Sequence, residues 1–414
     1  MSTFLDDHVV LTRRFFLAAG PAGLVALKSL PVLADNTRGE TDLKEAIGNI
    51  ESWLTKPANF RDVSRGNPIP HTLPLEKRKE IGLTRETWKL EVISDPDHPA
   101  RLRSPLTKDK NTALDFAGLM KIAEKEAVRF PKVMTCLNIG CPLGNGIWEG
   151  VPLRSVIWMT QPTKNLRRVH YYGYHNNDPK QMFQSSLPIG RVLEDLYDLP
   201  PVILCYKLNG QWLSPARGGP VRVVIPETYG FKNIKWLTHM FLSNLATAND
   251  TYGKQNNDVD SPLKTFCATL LVPQGIKPAQ PIPITGYAQV GISGLSKVQV
   301  WIQNSQDKLP KGDRYYSQAP WRDAKILPPP AAWGGDIDGD RIPDGTFGFD
   351  KGKPKTWPMR LTQAHWAVLH PGLPPGEYTL RSRTIDENGI AQPLPRPYAK
   401  SGHAAIEQVE FAVT

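Results

Sequence analysis

Residues 133–140 read Val-Met-Thr-Cys-Leu-Asn-Ile-Gly, and residues 147–153 read Ile-Trp-Glu-Gly-Val-Pro-Leu. An apolar run that ends in Cys136, just before a glycine-containing loop, places the thiol at the mouth of a strand rather than inside a core. Taken alone, such a cysteine is more often a small buried hydrophobic residue than a metal ligand. A second segment is therefore needed before the thiol can be given a function.

That second segment is basic and rich in glycine. Residues 208–237 contain Asn-Gly at 209–210, Arg-Gly-Gly-Pro-Val-Arg at 217–222, and Tyr-Gly-Phe-Lys-Asn-Ile-Lys-Trp-Leu at 229–237. Planar guanidinium groups beside free backbone amides suit a phosphate group. A solvated basic loop explains the same composition, and this segment alone does not separate the two interpretations.

Together the two segments resemble a known family. The order Thr-Cys-x-x-Asn, Trp-x-Gly-Val-Pro-Leu, Asn-Gly, Gly-x-Pro-x-Arg, Val-x-x-Pro and Tyr-Gly-x-Lys-x-x-Lys-Trp-Leu is similar to the molybdopterin domain of sulfite oxidases and their bacterial relatives. The resemblance covers about residues 60–245 and continues more weakly to the C-terminus. It implies an α+β protein: a mixed α/β molybdopterin-binding domain followed by an all-β immunoglobulin-like sandwich that serves in dimerisation.

The resemblance also implies roles for individual residues. Cys136 takes the place of the thiolate that ligates molybdenum, a metal for which a soft sulfur ligand is suitable. Arg217 stands where many members have a cofactor-binding histidine, and its guanidinium can still hold the pterin phosphate. The other residues implied to bind the cofactor are Asn67, Asn138, Arg222, Lys232, Asn233 and Lys235.

The implied reaction is oxygen-atom transfer, most simply the oxidation of sulfite with electrons passed to an external c-type cytochrome. Cys136, Arg65 and Tyr252 are the implied catalytic residues, the last two on the substrate side, with Lys400 as a weaker substrate-binding candidate. The loop at 139–144 lacks the two arginines that animal and plant sulfite oxidases carry soon after the metal cysteine. A molybdenum-dependent reductase of sulfoxides or related oxo compounds therefore stays open as the alternative.

The four cysteines, Cys136, Cys141, Cys205 and Cys267, are not spaced as a zinc site, and no Cys-x-x-Cys-His haem attachment is present. We therefore expect no haem on this chain. The net charge of +10 favours a small anionic substrate, an anionic cofactor or an acidic electron-transfer partner. Nucleic acid is not expected, because no basic run is interleaved with aromatic residues.

The first 34 residues predict export. Residues 12–17 read Thr-Arg-Arg-Phe-Phe-Leu, and an apolar stretch follows that ends in Val-Leu-Ala at 32–34. A twin-arginine pair before such a stretch is typical of a signal peptide, and the stretch is too short and interrupted for a membrane anchor. This predicts a periplasmic protein with no stable membrane span, exported already folded around its cofactor.

The rest of the chain divides by pattern into an N-terminal helix and arm (35–85), the molybdopterin-binding domain (86–250), a linker (251–280) and the immunoglobulin-like domain (281–414). Apolar spacing predicts a helix whose face carries Leu43, Ala46, Ile47, Ile50, Trp53 and Leu54, and a second helix at 114–127. Strands are predicted at 88–92, 202–208 and 221–225, and period-two alternation predicts others at 297–303, 378–384 and 409–413.

An acidic motif lies in the second half of the chain. Residues 336–345 read Asp-Ile-Asp-Gly-Asp-Arg-Ile-Pro-Asp-Gly. Carboxylates at alternate positions resemble calcium loops, here with Asp336, Asp338, Asp340 and Asp344 as ligands, but an ordinary acidic turn fits equally well. This motif and the β-rich C-terminal half leave a third interpretation, a non-catalytic, calcium-stabilised exported binding protein, which gives Cys136 no purpose.

Overall fold

The computed structural model describes residues 36–260, 262–309, 312–313, 315–393 and 395–414. The predicted export signal at 1–34 lies outside the described residues. In the described part of the chain, no helix is long and apolar enough to cross a membrane. The helices there are α1 (Asn36–Gly48), α2 (Leu75–Glu80), α3 (Phe116–Glu126), α4 (Leu153–Met159) and α5 (Ile189–Leu193).

The first domain is built on two sheets. Its strands are β1 (Lys89–Ser94), β2 (Arg101–Leu102), β3 (Leu114–Asp115), β4 (Val128–Thr135), β5 (Pro142–Pro152), β6 (Pro162–Lys164), β7 (Arg168–Gly173), β8 (Gln184–Pro188), β9 (Ile203–Leu208), β10 (Gln211–Trp212), β11 (Arg222–Val224) and β12 (Leu237–Ser243). One sheet has the order β3-β1-β12-β7-β8, and the other has β10-β9-β5-β4 with β11 paired to β9. Only β1 and β12 run parallel among these neighbours.

The two sheets share one apolar core. In β1 the side chains of Leu90 and Val92 are fully buried while their neighbours are less so, as expected for a strand with one inward face. They join Tyr171 from β7, Leu204 from β9 and Val223 from β11 in a single cluster. Burying one such aliphatic side chain contributes about 1.5–3 kcal/mol, so this core fixes how the two sheets lie against each other.

The predicted helix at 114–127 begins two residues late, and the reason is local. Leu114 and Asp115 pair with β1 as β3. The Asp115 carboxylate then accepts a hydrogen bond from the backbone N–H of Gly118 at 2.7 Å. That N-cap bond satisfies one of the free donors at the start of α3 and fixes the helix start at Phe116.

The second domain is the expected mostly-β sandwich. Its strands are β13 (Phe266–Leu271), β14 (Ile282–Gln289), β15 (Lys297–Asn304), β16 (Arg322–Ile326), β17 (Phe349–Asp350), β18 (Lys353–Pro354), β19 (Gln363–His370), β20 (Gly376–Ile385) and β21 (Glu407–Val413). Seven of them form one curled antiparallel sheet in the order β13-β14-β19-β16-β15-β20-β21. The segment predicted as a linker, 251–280, contains β13, because Phe266 and Cys267 are fully buried in this domain.

The N-terminal helix joins the second domain rather than the first. Helix α1 packs on β14 and β19, and the backbone of Gly39 lies so close to Pro281 that a Cβ there would be only 2.9 Å away. The helix ends at Gly48, so Trp53 and Leu54 do not continue its face as predicted. Both are buried in extended chain instead, and the Trp53 indole N–H donates to the carbonyl of Gln363 at 2.6 Å.

Candidate active site

The metal-ligand candidate lies where a buried strand ends. Strand β4 is buried along most of its length and stops at Thr135, whose hydroxyl bonds the Gln289 side chain of the second domain at 2.5 Å. Cys136 follows directly, is partly exposed and donates to the Asn138 side-chain oxygen at 2.7 Å. The strand end therefore holds this thiol at the mouth of a cavity, as the sequence predicts.

The other cysteines lie in different surroundings. Cys205 and Cys267 are fully buried, and desolvation raises the pKa of each thiol to about 12. Thiols with so high a pKa are unreactive at neutral pH. Cys141 is in the same loop as Cys136 and accepts a hydrogen bond from the Arg61 guanidinium at 3.4 Å. Of the four cysteines, only Cys136 lines the cavity described next.

A cavity of about 220 Å³ opens beside Cys136. The N-terminal arm, here defined as residues 60–72, lies against one side of it, and the basic segment lies against another. The structure thus brings together residues that are far apart in the chain. The predicted site residues that line the cavity are Arg65, Cys136, Asn138, Arg217, Arg222, Asn233, Lys235 and Tyr252.

Two buried arginines form the cationic end of this cavity. Arg217 follows a turn capped by Ser214 and donates to the carbonyl of Phe60 at 2.7 Å. Arg222 donates to the carbonyls of Arg217 at 3.0 Å and Asn233 at 2.5 Å. Within the described residues, no carboxylate oxygen lies within 4.0 Å of either guanidinium, although both are largely buried. Two desolvated cations without an anion are costly unless a ligand supplies the charge.

The lowered pKa of Arg222 reflects this cost of desolvation. Desolvation, opposed by Cys205 and assisted by the nearby charge of Arg217, lowers the pKa of its guanidinium from 12.5 to about 10. Its Nε–H is buried and has no hydrogen-bond partner among the described residues. A free, buried and charged donor that lines a cavity fits an anionic oxygen. The arginines and the thiol therefore fit a molybdopterin, with phosphate held by Arg217 and Arg222 and the metal side at Cys136.

The third cation of the basic segment is held differently. The Lys235 ammonium donates to the Asp62 carboxylate at 3.1 Å, the Ser64 hydroxyl at 2.7 Å and the carbonyl of Ala216 at 2.6 Å. Desolvation lowers the pKa of Lys235 to about 7, with Arg222 adding to the effect and Asp62 opposing it. Lys235 lines the cavity as predicted, but two of its three hydrogen bonds are to the arm.

The substrate side of the cavity is formed around Arg65. Its guanidinium donates to the Tyr252 hydroxyl and lies 5.5 Å from the ring centre of Phe183 and 5.2 Å from that of Tyr252. Lys400, from the second domain, has its ammonium 5.8 Å from the same tyrosine ring. Cations held against aromatic faces keep their charge available to a ligand. The two implied catalytic residues of the substrate side, Arg65 and Tyr252, are thus in direct contact.

Two other predicted cofactor-binding residues lie elsewhere. Lys232 is buried, forms an ion pair with Asp250 at 2.8 Å and donates to the carbonyl of Ser186 at 2.9 Å, so its charge is neutralised inside the first domain. Asn67 uses its backbone N–H to donate to the Gln181 side chain at 2.8 Å, and does not line the cavity. Both positions support the walls of the site rather than its interior.

The four aspartates of the predicted calcium loop are not assembled as a metal site. Asp336 forms an ion pair with Lys56 at 3.0 Å. The Asp340 carboxylate accepts hydrogen bonds from the backbone N–H groups of Trp333 and Gly334. Across the described ranges, no group of three or more His, Cys, Asp or Glu side chains, Asp338 and Asp344 included, is placed to hold a metal ion. The segment is an acidic turn that stabilises itself, and the calcium prediction is not supported.

A buried lysine joins the strand that precedes Cys136 to the basic segment. Lys132 on β4 has no exposed surface, and its ammonium donates to the carbonyls of Pro226 at 2.9 Å and Thr228 at 2.7 Å. Desolvation lowers the pKa of Lys132 to about 7 from its ordinary 10.5, with Glu227 opposing the shift and Arg222 adding to it. No pattern in the sequence indicates that this residue is buried, because an isolated lysine in a strand is normally exposed.

This lysine makes stability depend on pH. Between pH 7 and 10.5 the unfolded chain retains a proton on this lysine that the folded chain has released. The free-energy cost of burying the charged ammonium is therefore full below about pH 7 and disappears as pH rises. We expect Lys132 alone to raise the free energy of unfolding of the full-length, metal-free chain by up to about 1.4 kcal/mol per pH unit in this window, and Lys235, whose pKa is lowered to about the same value, to add a similar slope. Lys132→Met should remove the contribution of Lys132 in urea titrations at pH 7, 8 and 9, whereas the exposed Lys44→Met should retain the full wild-type slope. Equal slopes in wild type and Lys132→Met would contradict the assignment.

Residues that the sequence did not indicate complete the site. Phe183 and Gln181 line the cavity beside Arg65, and Asp62 and Ser64 of the arm bind Lys235. His71 places its Nε2 3.3 Å from the Asp62 carboxylate and its ring against Trp236. The short run 61–65 is visibly polar in the sequence, but nothing in it indicates which distant residues its side chains contact.

Comparison with known proteins gives the class. Residues 82–250 match the oxidoreductase molybdopterin binding domain. Among curated relatives, the mitochondrial sulfite oxidase of Drosophila melanogaster is 27% identical over 216 residues, which is 51% of this chain and 34% of that protein. A nitrate reductase (NADH) of Ulva prolifera is 29% identical over 260 residues, which is 51% of this chain and 29% of that protein. The chain thus covers about a third of the length of these relatives.

A solved structure extends the likeness to the whole fold. The crystal structure of the sulfane dehydrogenase SoxCD from Paracoccus pantotrophus superposes with a TM-score of 0.56, covers 95% of both chains and is 15% identical. At that identity the likeness shows the fold alone. Fold, cavity and domain match define a molybdopterin-binding oxidoreductase. More closely, the chain is similar to the sulfite oxidases and nitrate reductases among its relatives, and the molybdopterin binding domain favours an enzyme over a non-catalytic binding protein.

Proposed function

We propose that this chain oxidises a small sulfur oxyanion, most directly sulfite to sulfate, and passes the electrons to an external c-type cytochrome in the periplasm. The proposal rests on one observation: Arg65 and Tyr252 contact each other in the same cavity that Cys136 lines. A cation and a phenol beside the metal-side thiol are suited to an anion that must approach a metal centre. The molybdopterin binding domain at residues 82–250 and the sulfite oxidase among the relatives support this choice.

The charges on the substrate side agree with an anion. Arg65 has no carboxylate within 4.0 Å in the described structure, nor has Lys400. A sulfite dianion can therefore interact with both cations without displacing an internal partner. Desolvation raises the pKa of Tyr252, an effect that Arg65 opposes, so this phenol stays protonated and can donate a hydrogen bond to a substrate oxygen.

The division of work follows from these contacts. When bound, the molybdenum cofactor supplies the oxygen-atom transfer and two-electron redox chemistry. Oxidation of sulfite to sulfate adds one oxygen derived from water and releases two protons and two electrons. Arg65 binds and orients the anion, the Tyr252 hydroxyl directs one of its oxygens, and Phe183 excludes water from one side of the guanidinium.

A substrate screen on metal-loaded protein tests the proposal. Sulfite with oxidised cytochrome c should give turnover that saturates with sulfite and disappears in protein from a host unable to make molybdopterin. Methionine sulfoxide with a reduced dye is the matched assay in the opposite direction. Turnover in the second assay and none in the first would refute sulfite oxidation and leave the cofactor assignment intact.

That second outcome corresponds to the alternative function, a molybdenum-dependent reductase of oxo compounds. Two observations favour it specifically. Nitrate reductases are among the relatives, including the Ulva protein. The loop after Cys136 also contributes no arginine, so the substrate side has fewer cations than the resemblance to animal and plant enzymes implies. A weaker positive field suits a neutral oxo compound better than a dianion.

Replacing Arg65 should separate binding from turnover. Arg65→Met keeps much of the side-chain length but removes the charge, so we expect the KM for sulfite to rise by about tenfold to a hundredfold, as for loss of a charge-assisted hydrogen bond. Steady-state kinetics at constant ionic strength measures this. The exposed Arg85→Met, which stacks on Trp212 at the surface of the first domain, is the control and should keep the wild-type KM. An unchanged KM in Arg65→Met would refute substrate binding by Arg65.

A further inference from the structure

The donors of Lys235 are all in use. A lysine ammonium has three N–H groups. In this structure they reach three acceptors: the Asp62 carboxylate, the Ser64 hydroxyl and the carbonyl of Ala216. Only 17% of the Lys235 side chain is exposed, so water offers it little else. A phosphate could bind Lys235 only by displacing one of these bonds, whereas Arg222 already has a free donor.

Asp62 is bound from several sides as well. One carboxylate oxygen accepts from Lys235 and from the backbone N–H of Ser64 at 2.9 Å, and the other lies 3.3 Å from His71. Desolvation raises the pKa of Asp62, but the Ser64 hydrogen bond and the charge of Lys235 outweigh it and lower the pKa to about 2. The carboxylate is thus ionised at every working pH. Its contact with the Lys235 ammonium connects the arm to the basic segment.

These contacts directly precede the substrate arginine. Ser64 is followed by Arg65 and then by Gly66, whose φ of +124° is strained for any residue with a Cβ. A Cβ on Gly66 would also come within 3.0 Å of the carbonyl of Pro68. Beyond this turn, the backbone of Asn67 is bound by Gln181. Arg65 is therefore held between two fixed points, one on Lys235 and one on Gln181.

We propose that Asp62 and Ser64 are positioning residues for Arg65, and that Lys235 fastens the arm to the first domain. The assignment rests on the proposed role of Arg65 in binding substrate. The cations of the basic segment then have two different functions. Arg217 and Arg222 face the anionic cofactor, and Lys235 fixes the arm that carries the substrate-binding cation.

Hydrogen exchange on the metal-free, full-length chain tests the fastening without any substrate. Asp62→Ala should speed exchange of the backbone amides of residues 61–72 by about tenfold, as expected for loss of a hydrogen bond to a charged group. Asp62→Glu, which keeps the charge, should restore most of the protection. Asp195→Ala removes the surface ion pair with Arg154 and is the matched control, with no change expected in the arm. Unchanged exchange in Asp62→Ala would overturn the proposal.

Kinetics and cofactor content then test the positioning. In the loaded enzyme, Asp62→Ala should raise the KM for sulfite by about tenfold while kcat changes little, because only the placement of Arg65 is lost. Bound molybdopterin should be retained as in wild type, since Arg217 and Arg222 are intact. Loss of cofactor from Asp62→Ala, or an unchanged KM with a loosened arm, would each overturn the assignment. If wild type fails to turn over sulfite, the proposed substrate is wrong, and the exchange result still decides whether the arm is fastened.

Discussion

Cys136→Ser is expected to abolish turnover while the protein remains folded. Cys136 lies in a loop beyond the buried strand and makes one side-chain hydrogen bond, to Asn138, so a hydroxyl in its place disturbs little of the core. In its predicted role as the metal ligand, however, Cys136 provides the only cysteine sulfur among the described residues that line the cavity. Replacing a residue that only supports a metal ligand costs about 10–100-fold in activity or affinity, so losing the ligand should cost more than about a hundredfold.

Three measurements on the same preparation decide this prediction. We expect activity to fall, molybdenum per chain to fall with it, and circular dichroism with urea unfolding to match wild type. The control is Cys141→Ser, five residues further along the same loop and outside the cavity, which should keep both metal and activity. Full activity in Cys136→Ser, or equal losses in the two variants, would rule out thiolate ligation by Cys136.

Much of the fold could be predicted because it depends on local pattern. Strand β15 alternates buried and less buried side chains, and its predicted bounds, 297–303, differ from the observed Lys297–Asn304 by one residue. Errors occurred where a distant partner decides the structure. Trp53 and Leu54 fit a helical face by spacing, but the chain leaves the helix at Gly48 and they pack instead with Trp333 from the second domain. Periodicity carries no information about such partners.

The candidate site could likewise be predicted only in part. Ordered motifs predicted several of the residues that line the cavity, including Cys136, Asn138 and Arg222. They could not predict that Lys232 and Lys235, three residues apart, use their charges differently. Lys232 lies in a short 3₁₀ turn and reaches the buried Asp250, while Lys235 reaches back 173 residues to Asp62. A basic motif gives the composition of a site, and only the fold gives the partner of each charge.

Arg222→Met should leave the metal-free chain at least as stable as wild type while it lowers the cofactor content of the protein. In the metal-free, full-length chain, the buried guanidinium has no carboxylate partner, and the lowering of its pKa from 12.5 to about 10 corresponds to a penalty of roughly 3 kcal/mol. A methionine of similar length removes that penalty, although the carbonyls of Arg217 and Asn233 lose a donor. We therefore expect the variant to be as stable as wild type or more stable in urea unfolding, because buried charges replaced by apolar groups often cost nothing.

The cofactor should respond in the opposite way. With Arg222 gone, the phosphate loses its free buried donor, and we expect molybdopterin content after dialysis to fall by more than about tenfold, measured by fluorescence of the oxidised pterin. Arg191→Met is the informative control, since Arg191 forms a two-point ion pair with Glu227 at 2.7 and 2.9 Å. Its loss leaves a buried carboxylate unpaired and should destabilise the chain by about 3–5 kcal/mol. Destabilisation of Arg222→Met to the same extent, with cofactor retained, would show that Arg222 holds the fold together and not the cofactor. Retained stability with lost cofactor would show that this cation is buried for the anion it binds.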